Sequence, residues 1–129
     1  MKILLDTHIW LWMIAEPEKL SKHALRHINR DTEELLLSAA SSWEISIKWA
    51  LGKLSLPNSP AEFVPEHLAA TKTYPLAVQH SHTLRVATLP RHHSDPFDRL
   101  LIAQAQIERL PILTADPNFK AYDVEVLRA

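Results

Sequence analysis

The run His92-His93-Ser94-Asp95-Pro96-Phe97-Asp98-Arg99-Leu100-Leu101-Ile102-Ala103-Gln104-Ala105 reads as a helix start with more acid and histidine than a start requires. Asp95 suits the N-cap, and Pro96 suits the first helical position, where a missing N–H costs nothing. Asp98 falls three residues after Asp95, so both carboxylates lie on one side of the helix. The apolar, alanine-rich turns behind them predict a helix buried on most of its circumference. Capping and the helix dipole account for two acids there. One corner of an acidic metal site accounts for them equally well, and the surrounding chain decides between the two.

Downstream, Pro111-Ile112-Leu113-Thr114 is a short apolar strand that leads to Asp116-Pro117, and Val124-Glu125-Val126-Leu127 is another. Upstream, Ile3-Leu4-Leu5 and Leu35-Leu36-Leu37 are continuous apolar runs of the kind buried on both faces of a parallel sheet. Tyr74-Pro75-Leu76 is a weaker strand. Between them the spacing predicts helices over His8 to Ala15, Ser21 (or Lys19) to Asn29, Ser42 to Leu51, Pro60 to about Thr71 with a bend at Pro65, and Gln79 to Ala87. Gly52 closes the third of these as its C-cap, and Ser41-Ser42-Trp43-Glu44 supplies a capping box at its start. Strands alternating with helices make an α/β fold with a central parallel sheet covered on both faces, in one domain over residues 1–129.

Composition narrows the function. A chain of 129 residues, 47% hydrophobic and 22% charged, has the make-up of an ordinary globular protein. Zero cysteines exclude a disulfide framework and thiolate metal sites and suit a reducing cytoplasm. A single glycine excludes P-loops and dinucleotide fingerprints. The net charge of −1 gives no overall electrostatic footprint for nucleic acid, although bound cations would change the local field. Asp6 and His8 interrupt the apolar Ile3–Ile14 segment, and no small-residue cleavage site follows, so neither a signal peptide nor a membrane span is expected.

Ligand sites of such sheets lie beyond the carboxyl ends of the strands. Asp6 follows the first strand and Asp116 the fourth; Glu44, Asp95 and Asp98 stand at helix starts that point the same way. Singly, each has an ordinary explanation: Asp6 and Asp116 as caps, Glu44 through the capping box or an i,i+4 pair with Lys48. Together they repel, and a cation compensates clustered carboxylates. Oxygen ligands without cysteine suit Mg²⁺ or Mn²⁺. His92-His93 and His80-Ser81-His82 lack the helical spacing of a zinc site, and His93 is better placed to bond an Asp or approach substrate. Trp10, Trp12, Trp43 and Trp49 suit core or interface packing better than base stacking.

These blocks, with Leu4-Leu5-Asp6-Thr7-His8, Ser42-Trp43-Glu44-Ile45-Ser46-Ile47-Lys48, Gly52-Lys53-Leu54 and Leu113-Thr114-Ala115-Asp116, resemble the PIN-domain ribonucleases, specifically the VapC-type toxins of toxin–antitoxin modules. The resemblance covers nearly the whole chain. It implies a three-layer α/β/α sandwich with strand order 3-2-1-4-5. It also implies a divalent-metal-dependent endoribonuclease that hydrolyses RNA to 5′-phosphate products. The family's acids match Asp6, Glu44, Asp98 and Asp116, with Asp95 additional; Thr7 and Thr114 match positions that bond metal ligands or water. Asp6 and Asp98 are expected as direct ligands of Mg²⁺ or Mn²⁺, Asp116 and Glu44 as ligands through water, and Arg99, Lys48 and His93 near substrate phosphate. A cognate antitoxin, homodimerisation and a cytoplasmic location are further implications, with the apolar helix carrying Trp10, Leu11 and Trp12 as a groove for a partner helix.

Three other readings are weighed against this one. A phosphoacceptor receiver domain needs paired acids after the first strand and an acceptor Asp after the third; Thr7-His8 and Leu76 stand there instead. A haloacid-dehalogenase-type phosphatase needs an Asp where His8 stands. A PIN fold kept only for binding a partner would retain the acids without turnover.

Overall fold

Five short strands form one parallel sheet in the order β3-β2-β1-β4-β5. The computed structural model describes residues 1–129. In chain order the strands are β1 (Lys2–Leu5), β2 (Glu34–Ser38), β3 (Thr73–Leu76), β4 (Ile112–Thr114) and β5 (Val126–Arg128). The helices are α1 (Thr7–Ala15), α2 (Lys22–Ile28), α3 (Ala39–Ala50), α4 (Pro60–Ala70), α5 (His80–Arg85) and α6 (Pro96–Glu108). Single 3₁₀ turns occupy Pro17–Lys19, Val86–Thr88 and Pro117–Ala121. No helix is long and apolar enough to cross a membrane.

The apolar runs sort themselves by strand alternation. Leu4, Leu36 and Ile112 face one layer, packed against Leu101, Ile102 and Ala105 of α6. Ile3, Leu5, Leu35, Leu37 and Leu113 face the other, against Ile9 and Trp10 of α1, Ala24 of α2 and Phe63 of α4. Neither face of the inner strands meets water, which is why these strands show no polar alternation in sequence. Each side chain buried in this way contributes roughly 1.5–3 kcal/mol relative to exposure.

The ends of the elements follow their sequence signals, with one consequential exception. Ser21 caps α2 by accepting from the Ala24 amide at 3.0 Å. Gly52, at φ +73°, lets the chain leave α3: its amide donates to Trp49 O at 3.0 Å and that of Lys53 to Lys48 O at 2.8 Å, a Schellman motif. The exception is the start of α3. The helix begins at Ala39, directly out of β2, with Ser38 as its cap accepting from the Ala40 amide. The expected capping box at Ser41–Glu44 is therefore absent, because both residues already lie inside the helix. α4 runs on through Pro65.

Candidate metal centre

The reversal of strand order beside β1 places the carboxyl ends of β1 and β4 next to each other. Register pairs Leu5 with Leu113, and the Asp6 amide donates to Leu113 O at 3.0 Å. Thr114 Oγ1 then donates to Asp6 Oδ2 at 2.7 Å. Asp6 occupies the N-cap position of α1 but makes no capping bond. It is only 4% exposed, and its Oδ1 is buried without a hydrogen-bond partner. Burial pushes its carboxyl above the usual range; the Thr114 bond opposes this and the charge of Glu44 adds to it.

Glu44 reaches the same crevice from α3. Since α3 starts five residues earlier, at Ala39, Glu44 lies in the second turn and is 2% exposed. Its Oε2 accepts from Lys48 Nζ at 2.5 Å, the i,i+4 pair expected from sequence. The hydrogen bond to Glu44 raises the Lys48 ammonium pKa. Glu44 Oε1 is a second buried oxygen with no partner.

The opening turn of α6 divides its labour between two acids. Asp95 is the cap: its Oδ1 accepts from the amides of Phe97 at 2.8 Å and Asp98 at 3.1 Å. Asp98 faces the crevice and accepts from His93 Nε2 at 2.8 Å. Burial first, then the neighbouring charges of Asp6 and Asp95, raise its carboxyl to about 7 against the opposing pull of His93. Asp116 caps the Pro117–Ala121 turn through the Asn118 amide at 2.9 Å, and its own amide donates to Thr114 Oγ1 at 3.0 Å. Its Oδ2 stands 3.5 Å from His93 Nε2. Ligand atoms of His93, Asp98 and Asp116 all lie within 4.8 Å of one another.

The fold thus gathers Asp6, Glu44, Asp95, Asp98, Asp116, Thr114 and His93 at one pole, with Lys48 on its edge. Two expected members also carry structural bonds. Arg99, expected near phosphate, donates through its guanidinium to Pro90 O, Val86 O, Leu89 O and His93 O and to the Tyr122 hydroxyl, clamping the segment before α6. Thr7 bonds Ser41 Oγ at 2.8 Å and ties α1 to α3, while its backbone amide, beside the Asp6 carboxylate, opposes the rise of that group's pKa. Tyr122 carried no signal in the sequence, yet it is 5% exposed and its hydroxyl accepts from the amides of His92 and His93, positioning the imidazole. Ser41, read from sequence as a capping residue, is 0% exposed and serves instead as the acceptor for Thr7.

Of the other histidines, His8 lines the cleft beside Glu44 and its charge lowers the Asp6 carboxyl, whereas His80 and His82 stay apart. His82 is buried, accepts from the Gln79 amide and donates to Glu108, whereas His80 is exposed. Trp10 lies in the core, edge-on to Phe63, but Trp43 is 56% exposed, packed edge-on to Phe97 at 4.9 Å.

A hard divalent cation fits this donor set. Two buried carboxylate oxygens lack any partner, and an unpartnered buried polar atom is costly unless something neutralises it. Asp6 and Asp98 are both pushed toward protonation by burial and by neighbouring carboxylates, Glu44 for the first and Asp6 and Asp95 for the second, a repulsion that a cation removes.

Known proteins agree with this picture. A stretch of 49 residues is 51% identical to Ribonuclease VapC16 of Mycobacterium tuberculosis, covering 38% of this chain and 35% of that protein, so the match spans about a third of the relative's length. Among solved structures, DNA-bound VapBC from Salmonella typhimurium superposes with a TM-score of 0.73 at 14% identity, over 99% of this chain and 98% of that one. DNA-bound VapBC2 from Rickettsia felis gives 0.72 at 14%, over 99% and 98%. VapBC-5 from Mycobacterium tuberculosis gives 0.64 at 17%, over 99% and 98%. At such identities the likeness is one of fold. The family model described as "PIN domain" matches residues 3–125: with its five-stranded sheet and its acids at one pole, the chain belongs to the PIN-domain family.

Proposed function

We propose that this chain is a divalent-metal-dependent endoribonuclease, the toxin of a toxin–antitoxin pair. The observation that carries the reading is the pair of buried, unpartnered oxygens, Asp6 Oδ1 and Glu44 Oε1, on carboxylates close enough for the charge of Glu44 to act on Asp6 and that of Asp6 on Asp98. A purely structural carboxylate buried this deeply is bonded through both oxygens or neutralised. The 51% identical stretch shared with a ribonuclease favours RNA as the substrate class. The VapBC neighbours favour an antitoxin as partner, and homodimerisation belongs to the same reading.

Asp6 and Asp98 are the residues best placed to hold Mg²⁺ or Mn²⁺ directly, with Glu44 and Asp116 completing the site and Asp95 fixing the helix start. Held there, the cation would supply Lewis-acid activation of water and of the phosphodiester. The chain's own groups do the rest. Thr114 orients Asp6. His93 Nε2 sits between Asp98 and Asp116 and holds a proton at the mouth of the site. Lys48 gives the acidic crevice a positive edge toward which a phosphate can approach.

The test is cleavage of a panel of structured RNAs with Mg²⁺, with and without chelator. Asp6→Asn should keep the folded spectrum and lose cleavage. Undiminished cleavage removes Asp6 from the mechanism, and a folded wild type that cleaves none of the panel favours a binding role alone.

A further inference from the structure

The largest cavity of the molecule adjoins the acids without belonging to them. It measures about 590 Å³ and lies over the segment between α5 and α6. Val86, Ala87 and Leu89 give it an apolar wall; Arg91, His92 and Arg99 give it a polar one. His93 is shared: it lines the cavity and its Nε2 contacts Asp98 and Asp116. Two smaller clefts flank the acids elsewhere, about 230 Å³ beside Glu44 and about 70 Å³ beside Asp116. Of these three, the 590 Å³ cavity alone is in the size range of small-molecule sites.

Its charge is unusual for a chain of net charge −1. Neither Arg91 nor Arg99 takes part in any ion pair of the fold. Arg99 is satisfied by neutral carbonyls and a hydroxyl, so its donors are used while its charge stays uncompensated. The same bonds fix the cavity wall, since the carbonyls of Val86, Leu89 and Pro90 are tied to one guanidinium. A rigid recess results, apolar on one side, doubly cationic on the other, and sharing a histidine with the acids.

We infer that this cavity is a nucleotide subsite: it takes the nucleoside of the RNA strand next to the scissile phosphate, base against Val86, Ala87 and Leu89, flanking phosphate toward Arg91 and Arg99. The inference rests on the ribonuclease reading above and adds to it the place where the strand is gripped. A strand crossing a cluster of carboxylates needs cations beside them, and phosphate contacts supply most of the affinity of such complexes.

The test separates grip from cleavage. In an Asp98→Asn background, anisotropy with a labelled single-stranded RNA should show about a tenfold loss of affinity for Ala87→Trp, which fills the recess, and for Arg91→Glu. Leu84→Trp, which adds the same bulk on the exposed face of α5 outside the recess, should bind as the background does and serves as the control. Titrating 5′-CMP and 5′-AMP should shift the amide resonances of residues 86–94. Unchanged affinity in both filled and charge-reversed variants overturns the inference while RNA cleavage by wild type leaves the nuclease reading intact. Equal shifts with inorganic phosphate overturn it too. Nucleotide-induced shifts in a protein that cleaves no RNA support the subsite and overturn the nuclease reading.

Discussion

Thr114 Oγ1 donates to Asp6 Oδ2 across 108 positions of sequence, and the same hydroxyl accepts from the Asp116 amide. One threonine therefore fixes the acid after β1 and the backbone that carries the acid after β4. Thr114→Val keeps the shape and removes both bonds. Its expected effect is a loss of Mn²⁺ affinity of about 10- to 100-fold, the usual cost of removing a group that orients a metal ligand. Thr114→Ser should restore most of it. Calorimetric Mn²⁺ titration of the three proteins checks this, and equal affinities would show that Asp6 needs no such support.

Acidification should stabilise the metal-free protein through Asp98. Its folded carboxyl is raised to about 7 from the 3.8 of an ordinary aspartate, so between those values the folded state binds more protons than the unfolded one. The stabilising contribution is complete below the unfolded value and is lost as pH rises through 7. Asp6, raised in the same sense, adds to it. In chelator, Tm should fall by about 5 °C between pH 5 and pH 8, and Mg²⁺ should return most of the loss at pH 8 and little at pH 5. Asp98→Asn should flatten the profile and raise the metal-free Tm at pH 8. A wild-type profile as flat as the variant's would contradict the repulsion.

Arg99 should matter for order more than for charge alone. Its fork spans carbonyls from Val86 to His93, a geometry that lysine cannot reproduce. Arg99→Lys should cost about 2–3 kcal/mol, and hydrogen exchange should speed up selectively over residues 86–94. Tyr122→Phe, which frees the amides of His92 and His93, should cost about 1 kcal/mol and lower kcat with little change in Mn²⁺ affinity. Uniform exchange across the chain in either variant would argue against a local clamp.

Gly52→Ala should be a pure backbone effect. The residue sits at φ +73°, and an added Cβ would meet nothing within 4 Å. The expected cost is about 1 kcal/mol, read as a lower Tm, with RNA cleavage retained. A neutral result would mean that the α3 terminus relaxes to another cap.

Much of this was legible in the sequence because parallel sheets write simple signals. Ile3-Leu4-Leu5 and Leu35-Leu36-Leu37 are apolar throughout, since both faces are covered, and the acids follow the strands at fixed short distances. Asp95 and Gly52 act at the ends of α6 and α3 as the sequence indicates. The start of α3 was misread because Ser38 and Ser41 are both acceptable caps, and only the tight exit from β2 selects Ser38. That shift changed the meaning of Glu44 from a capping partner to a buried acid. The clamp made by Arg99 and the role of Tyr122 were overlooked for one shared reason: hydrogen bonds to backbone carbonyls and amides leave no residue-type pattern along a chain.

The position of β1 has a consequence in time. The strand lies in the middle of the sheet, between β2 and β4, so the first of the five strands to be made gains its second neighbour only once the fourth has been made. While a chain is being synthesised, β1 can pair with β2 as soon as residue 38 emerges, and that half of the core can collapse. Asp6 and Glu44 then wait, close together and unneutralised, until α6 and β4 arrive to supply Asp98, Thr114 and Asp116. Non-local pairings of this kind form slowly, because the chain must close a long loop before any contact rewards it. A nascent or truncated chain lacking β4 is therefore without the assembled acidic pole, and whatever chemistry that pole performs begins only when nearly all of the 129 residues have folded.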